Sequence, residues 1–276
     1  MTLLAAALVM GACSTAPTRP AATVAEQSAP AASVDGAICT GFGPQTPRDI
    51  DQTGGSNQRL FSMAPDYPNL NLCNVHFHQN AEHKAKDFSI YAGPGDNGVG
   101  GGYRCNMSTS LSAAELAQPT GKICHGLKPG DTIEVHWVYS SCEVKPGATL
   151  GACLSDSCAN PQLRVETQVF TLVNDASAMN FNDFDYGNTI VNGYHQAKAL
   201  PQGTGSPVQF LGSTTGPKYN ESVCSPLQVS WSVRPMCAKL DINSVGRCCE
   251  SNAFDDDHAH CVLALVTEPS LLSEIK

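Results

Sequence analysis

Apolar and polar residues alternate with a period of two through much of the middle of the chain, and this pattern predicts β-strands. In Leu72 to His83, LCNVHFHQNAEH, the residues Asn74, His76 and His78 fall on one face and Val75 and Phe77 on the other, because successive side chains of a strand point to opposite sides. Thr132 to Tyr139, TIEVHWVY, repeats the pattern: Glu134, His136 and Val138 share one face, and Ile133, Val135, Trp137 and Tyr139 share the other. Further strand-like runs are Asp87 to Ala92, Leu163 to Val173, Val208 to Leu211, Leu227 to Val233 and Cys261 to Thr267. Gly, Pro, Asn and Asp clusters separate them, which is the pattern of antiparallel β structure. Helix is scarce. Ser112 and Glu115 form a capping-box signature in SAAELA, but Pro119 limits that helix to a short one. The expectation is a mainly β fold: a single domain built on an antiparallel sheet with few short helices.

Composition sets the boundaries of that domain. Residues 1–12, MTLLAAALVMGA, are apolar, uncharged and too short to span a membrane, and they end in small residues before Cys13. They read as a lipoprotein signal peptide. Met-Gly-Ala-Cys resembles a bacterial lipobox, with Cys13 as the lipid attachment site. Residues 13–34 are rich in Ala, Pro, Ser and Thr, cannot bury a core and read as a flexible tether. Residues 35–276 are long enough for one β domain. The expected location is therefore the cell envelope or periplasm, with membrane contact through the lipid alone. The net charge of -9 argues against nucleic acid as a partner. Thirteen cysteines, less Cys13, leave twelve, compatible with six disulfides in an oxidising compartment. Cys105 with Cys124, and Cys142 with Cys153 or Cys158, are plausible local closures.

The two histidine-bearing strands carry the candidate chemistry. His76 and His78 lie two apart on one face, and His136 on a neighbouring strand supplies a third imidazole. Three neutral imidazoles suit tetrahedral zinc with one position left open for water, the catalytic arrangement, whereas structural zinc is closed by four protein ligands. Cobalt, cadmium and iron are alternatives, since three imidazoles accept several divalent ions. Asn74 beside His76 and Glu134 beside His136 are placed to accept the outer N–H groups of the ligand rings. His83 reads as a packed histidine. Asp255 to His260, DDDHAH, reads as a solvated loop, and Gly93 to Gly98 as a loop and not a nucleotide-binding turn, because Pro94 interrupts it.

The order H-x-H, then E-H, then E-x-H on a later strand is similar to the zinc-binding strands of the alpha carbonic anhydrases. The run CNVHFHQNAEHKA resembles the delta class more closely, as does the long cysteine-bearing segment between His78 and His136. Gly43 to Ile50, GPQTPRDI, resembles the family's N-terminal segment, and Cys224 to Val233, CSPLQVSWSV, its late strand ending in a Trp. The resemblance implies an alpha-carbonic-anhydrase-like sheet and reversible hydration of carbon dioxide to bicarbonate and a proton. It makes His76, His78 and His136 the zinc ligands. It makes Glu82 the acid that orients a gatekeeper hydroxyl, and Val138 a wall of the substrate pocket. It also implies a Cys39 to Cys224 disulfide. The segment before Cys224 is too short for the alpha TTPP gatekeeper motif, so Ser222 and Ser225 are the expected hydroxyls. The proton shuttle falls among His125, His195, His258 and His260. Two alternatives are a non-catalytic carbonic-anhydrase-like binding module and a copper-zinc superoxide dismutase-like metalloprotein, which would need further histidines and a bridging aspartate.

Overall fold

The computed structural model describes residues 39–96 and 99–276; the expected signal, Cys13 and the tether lie outside them. Six strands form the main sheet: β1 (Asn71–Gln79), β2 (Thr132–Ser140), β3 (Leu163–Val173), β4 (Val208–Ser213), β5 (Gln228–Val233) and β6 (Ala238–Asp241). Their order is β1-β2-β3-β5-β4, with β6 also paired to β3. The fold is mostly β, as expected. The β1–β2, β2–β3 and β4–β5 pairs are antiparallel, but β3 runs parallel to both β5 and β6, so the sheet is mixed.

The three central strands are buried on both faces. Val75, Phe77, Ile133, Val135, Trp137, Tyr139 and Phe170 belong to one apolar cluster, and Val138, Val165, Val169, Phe210, Val229, Trp231 and Val233 to a second. Residues opposite one another in a ladder share a face. The pairing of Val75 with Trp137, and of His76 with His136, therefore places the first cluster on one side of the sheet. The histidines lie on the other side with the second cluster. A register shift between Leu72 and Asn74 marks the start of β1, after which the alternation from Asn74 to Gln79 is regular.

Several local expectations change. Ser112 and Glu115 do form the reciprocal bonds of a capping box, but only a turn results, since one helical turn fixes many dihedrals for a single hydrogen bond. The α-helix among the described residues is α1 (Ile242–Glu250), where Asp241 caps the amide of Asn243. A Cβ at Gly246 would lie 2.3 Å from the Lys122 carbonyl, so glycine is what lets the backbone before Cys124 approach the helix. Cys261 to Thr267 forms no regular strand.

Five disulfides join described residues to one another: Cys39–Cys224, Cys73–Cys153, Cys105–Cys237, Cys124–Cys249 and Cys142–Cys158; Cys261 is disulfide-bonded as well. The first matches the pairing implied by resemblance, and Cys142 joins the second of its two candidates. Cys105 and Cys124 do not join each other; Cys105 reaches Cys237, just before β6, and Cys124 reaches Cys249 within α1. Cys248 carries a free thiol, so the twelve cysteines do not all pair as six bridges. No helix of the described residues is long and apolar enough to cross a membrane.

Candidate metal centre

The β1–β2 register sets His76 directly across from His136, and His78 across from Glu134. The rings of His76, His78 and His136 lie 4.9 to 5.3 Å apart, centre to centre. One nitrogen of His76 and one of His78 are hydrogen-bonded to an oxygen. Nδ1 of His76 is 2.7 Å from Asn74 Oδ1 and Nδ1 of His78 is 3.1 Å from the Cys261 carbonyl, while Nε2 of His136 lies 3.3 Å from Glu134 Oε1 without a hydrogen bond between them. An N–H that donates outward leaves a bare lone pair on the other nitrogen of the same neutral ring. Nε2 of His76 and Nδ1 of His136 face each other across 3.3 Å, and Nε2 of His78 is buried with no partner. The ligating atoms of the three rings lie within 4.8 Å of one another, close enough to share one cation.

Burial keeps these rings neutral. It is the first cause, reinforced by the neighbouring imidazoles, that drives His76 well below its ordinary value and His78 down to about 4. His136 is also lowered by burial, against the pull of Glu134. Neutral imidazole is the ligating form.

Two buried carboxylates stand behind the rings. Glu134 Oε1 accepts from His83 Nδ1 at 2.7 Å, and Oε2 accepts from the backbone amides of Glu82 and His83 at 2.5 and 3.1 Å. Burial opposes its ionisation, but His83 and His136 hold it well below the usual range. Glu82 is raised, by burial first and by Glu134 in addition. Its Oε1 accepts from the Thr215 hydroxyl at 3.2 Å and lies 3.9 Å from His136 Nε2. His83 packs between Trp231 and Phe210.

A delta carbonic anhydrase family model matches residues 67–244. The chain belongs to that family. The match takes in both histidine strands, Glu82 and the Trp231 strand, and it makes the protein a carbonic anhydrase, an enzyme that hydrates carbon dioxide. Its alternatives as a binding module or a dismutase fall away with that assignment. Among solved structures, a hyperthermostable carbonic anhydrase from an active hydrothermal vent chimney matches with a TM-score of 0.31 and 12% identity, covering 80% of this chain and 87% of that one. No curated protein sequence matches.

The structure of this carbonic anhydrase brings His76, His78, His136, Asn74, Glu134 and Glu82 together. Val138 is buried on the same face, in register with Val165, which is in turn opposite Trp231. The expected hydroxyls do not meet Glu82. Ser222 is exposed, with its amide bonded to Asn220, and Ser225 is buried with its hydroxyl on Thr214 Oγ1 at 2.7 Å. The hydroxyl on Glu82 is that of Thr215, whose signal was the run Thr214-Thr215-Gly216-Pro217 ahead of Cys224. The contacts that place it are distant in sequence. Thr46 bonds both the amide and the carbonyl of Ser213, and Gln45 bonds Ser225. The Asp255 to His260 run is not simply a solvated loop, since His260 pairs with β1 beside His78.

Proposed function

We propose that this carbonic anhydrase binds zinc through His76, His78 and His136 and hydrates carbon dioxide with Thr215 and Glu82 directing the attacking oxygen. The observation that carries the metal assignment is the convergence of three imidazoles kept neutral by burial, with ligating atoms within 4.8 Å of one another. Zinc suits three nitrogen ligands, and when bound it supplies a Lewis acid that lowers the pKa of water to roughly 7.

The residues then have separable tasks. Asn74 and the Cys261 carbonyl fix the tautomers of His76 and His78, and Glu134 stands 3.3 Å from Nε2 of His136 as the nearest carboxylate acceptor. The Thr215 hydrogen is committed to Glu82 Oε1, so Thr215 Oγ1 can only accept a hydrogen bond from the nucleophile. That directs a nucleophile lone pair toward a carbon dioxide resting against Val138, Val165 and Trp231, which offer no hydrogen bonds to compete. Water and carbon dioxide yield bicarbonate and one proton.

The same proposal places the enzyme in the cell envelope, tethered by lipid at Cys13. The support is the apolar run before Met-Gly-Ala-Cys and a disulfide-rich domain, since such bonds persist in oxidising compartments. Stripping the protein with a chelator should abolish hydration in a stopped-flow assay, and one equivalent of zinc should restore it. Full activity in demonstrably metal-free protein would refute the zinc reading. Cys13→Ala should move the protein from the membrane to the soluble fraction; a variant that still sediments with membranes would refute the tether.

A further inference from the structure

A fourth histidine reaches the same face. The His260 amide donates to the Phe77 carbonyl and the His260 carbonyl accepts from the Gln79 amide, both at 2.8 Å. This parallel bridge sets His260 beside His78, and residues paired in a ladder send their side chains to the same side. The His260 ring lies 5.6 Å from His76 and 5.9 Å from His78, against 4.9 to 5.3 Å among the three candidate ligands.

His260 also repeats the arrangement of those ligands. Its Nε2 donates to Asp256 Oδ1 at 3.0 Å, which leaves Nδ1 as the lone-pair nitrogen of the neutral ring. Asp256 is only 9% exposed, and its second oxygen is buried without a partner. Asn252 fixes it by bonding both its amide and its carbonyl. A carboxylate behind an imidazole is the usual support of a metal-binding histidine. His260 differs in one respect: its side chain is 43% exposed, whereas His78 and His136 are buried. It stands outside the group whose ligating atoms lie within 4.8 Å of one another, and solvent on its open side leaves it space to move.

We propose that His260 is a displaceable fourth imidazole ligand, oriented by Asp256, that lets the centre exchange between an open three-histidine form and a closed four-histidine form. The proposal rests on His76, His78 and His136 being the ligand set. The cations it suits are divalent ions that favour imidazole, such as zinc, cobalt and copper. The closed form retains the ion but leaves tetrahedral zinc no place for water, so it is an idle state that substrate or water must open.

The test uses the full chain, stripped of metal and titrated with cobalt(II) against a competing chelator, with the visible cobalt spectrum as a second readout. His260→Ala and Asp256→Asn should each weaken cobalt binding by about 10-fold or more and alter the spectrum, while circular dichroism of the metal-free variants stays that of the parent. His258→Ala, one ring further out, should change neither. If His260→Ala binds cobalt with parental affinity and spectrum, the fourth ligand is refuted. His136→Ala separates this from failure of the underlying site: loss of cobalt there with a silent His260→Ala refutes only the fourth ligand. Parental cobalt binding by His136→Ala refutes the three-histidine site and the proposal with it.

Discussion

Thr215 gives its hydroxyl hydrogen to Oε1 of Glu82 across 3.2 Å, joining residues 133 positions apart in the chain. The carboxylate is fully buried behind the three histidine rings, so the bond fixes which lone pair the hydroxyl presents. Thr215→Ala should lower the hydration rate by about 100-fold, the scale of a positioned proton-handling group, with metal content unchanged. Thr215→Ser should keep most of the rate. Stopped-flow assays beside metal analysis decide it; an Ala variant at parental rate would remove Thr215 from the reaction.

Glu134 does more than face His136, because its second oxygen accepts both the Glu82 and the His83 amides. Glu134→Ala should therefore cost stability as well as metal. Each buried amide left unpaired is worth about 1–3 kcal/mol, in addition to the 10- to 100-fold loss in metal affinity usual for a supporting group. His136→Ala should lose the metal outright yet melt, metal-free, closer to the parent. Denaturant melts of the metal-free variants separate the two; equal midpoints would show that Glu134 does not brace the segment from Glu82 to His83.

Acid should destabilise the metal-free protein. Burial lowers His76, His78 and His136, with His78 at about 4. The unfolded chain takes up protons near pH 6.5 while the folded chain leaves the rings neutral, so unfolding binds protons between about pH 6.5 and about 4. Stability is complete above that window and falls as pH falls through it; Glu82 and Glu134 shift in opposite directions and partly offset each other. Denaturant midpoints at pH 7.5, 6 and 5 measure it, and His78→Ala should flatten the slope. A profile without slope in the parent would mean that the rings are charged when folded.

Cys248 is the free thiol among the described cysteines, and burial pushes it up to about 12. The thiolate is the reactive form, so native protein should resist alkylation. Denatured, unreduced protein should label at Cys248 and spare the ten cysteines of the five bridges. Peptide mapping reads this directly, and label on Cys124 or Cys249 would show that the neighbouring bridge has exchanged with Cys248.

The three candidate ligand histidines were legible because a period of two sorts His76, His78 and His136 onto faces whatever the neighbouring strands do. Asn74 and Glu134 followed from the same parity. Strand direction left no such mark: β3 accepts β5 and β6 in parallel register, and alternation looks alike in either direction. Helix α1 was hidden by Asn243, Ser244 and Gly246, which are poor helix formers; its Asp241 cap, its Cys124–Cys249 staple and the close approach of the Lys122 backbone override them. Thr215 was obscured because its place depends on contacts with Gln45 and Thr46, far away in sequence. The Cys261 carbonyl could not be found from side-chain chemistry at all, since a backbone oxygen carries no residue signature.

That carbonyl also bears on the order in which a functional molecule is assembled. The Cys261 oxygen, which decides which nitrogen of His78 is left bare, comes from a segment made long after all three ligand histidines. A growing chain that has completed β1 and β2 has the imidazoles but not the acceptor that fixes one of their tautomers. The hydrogen bond that orients His78 therefore forms only after the segment around His260 has been synthesised and has settled against β1.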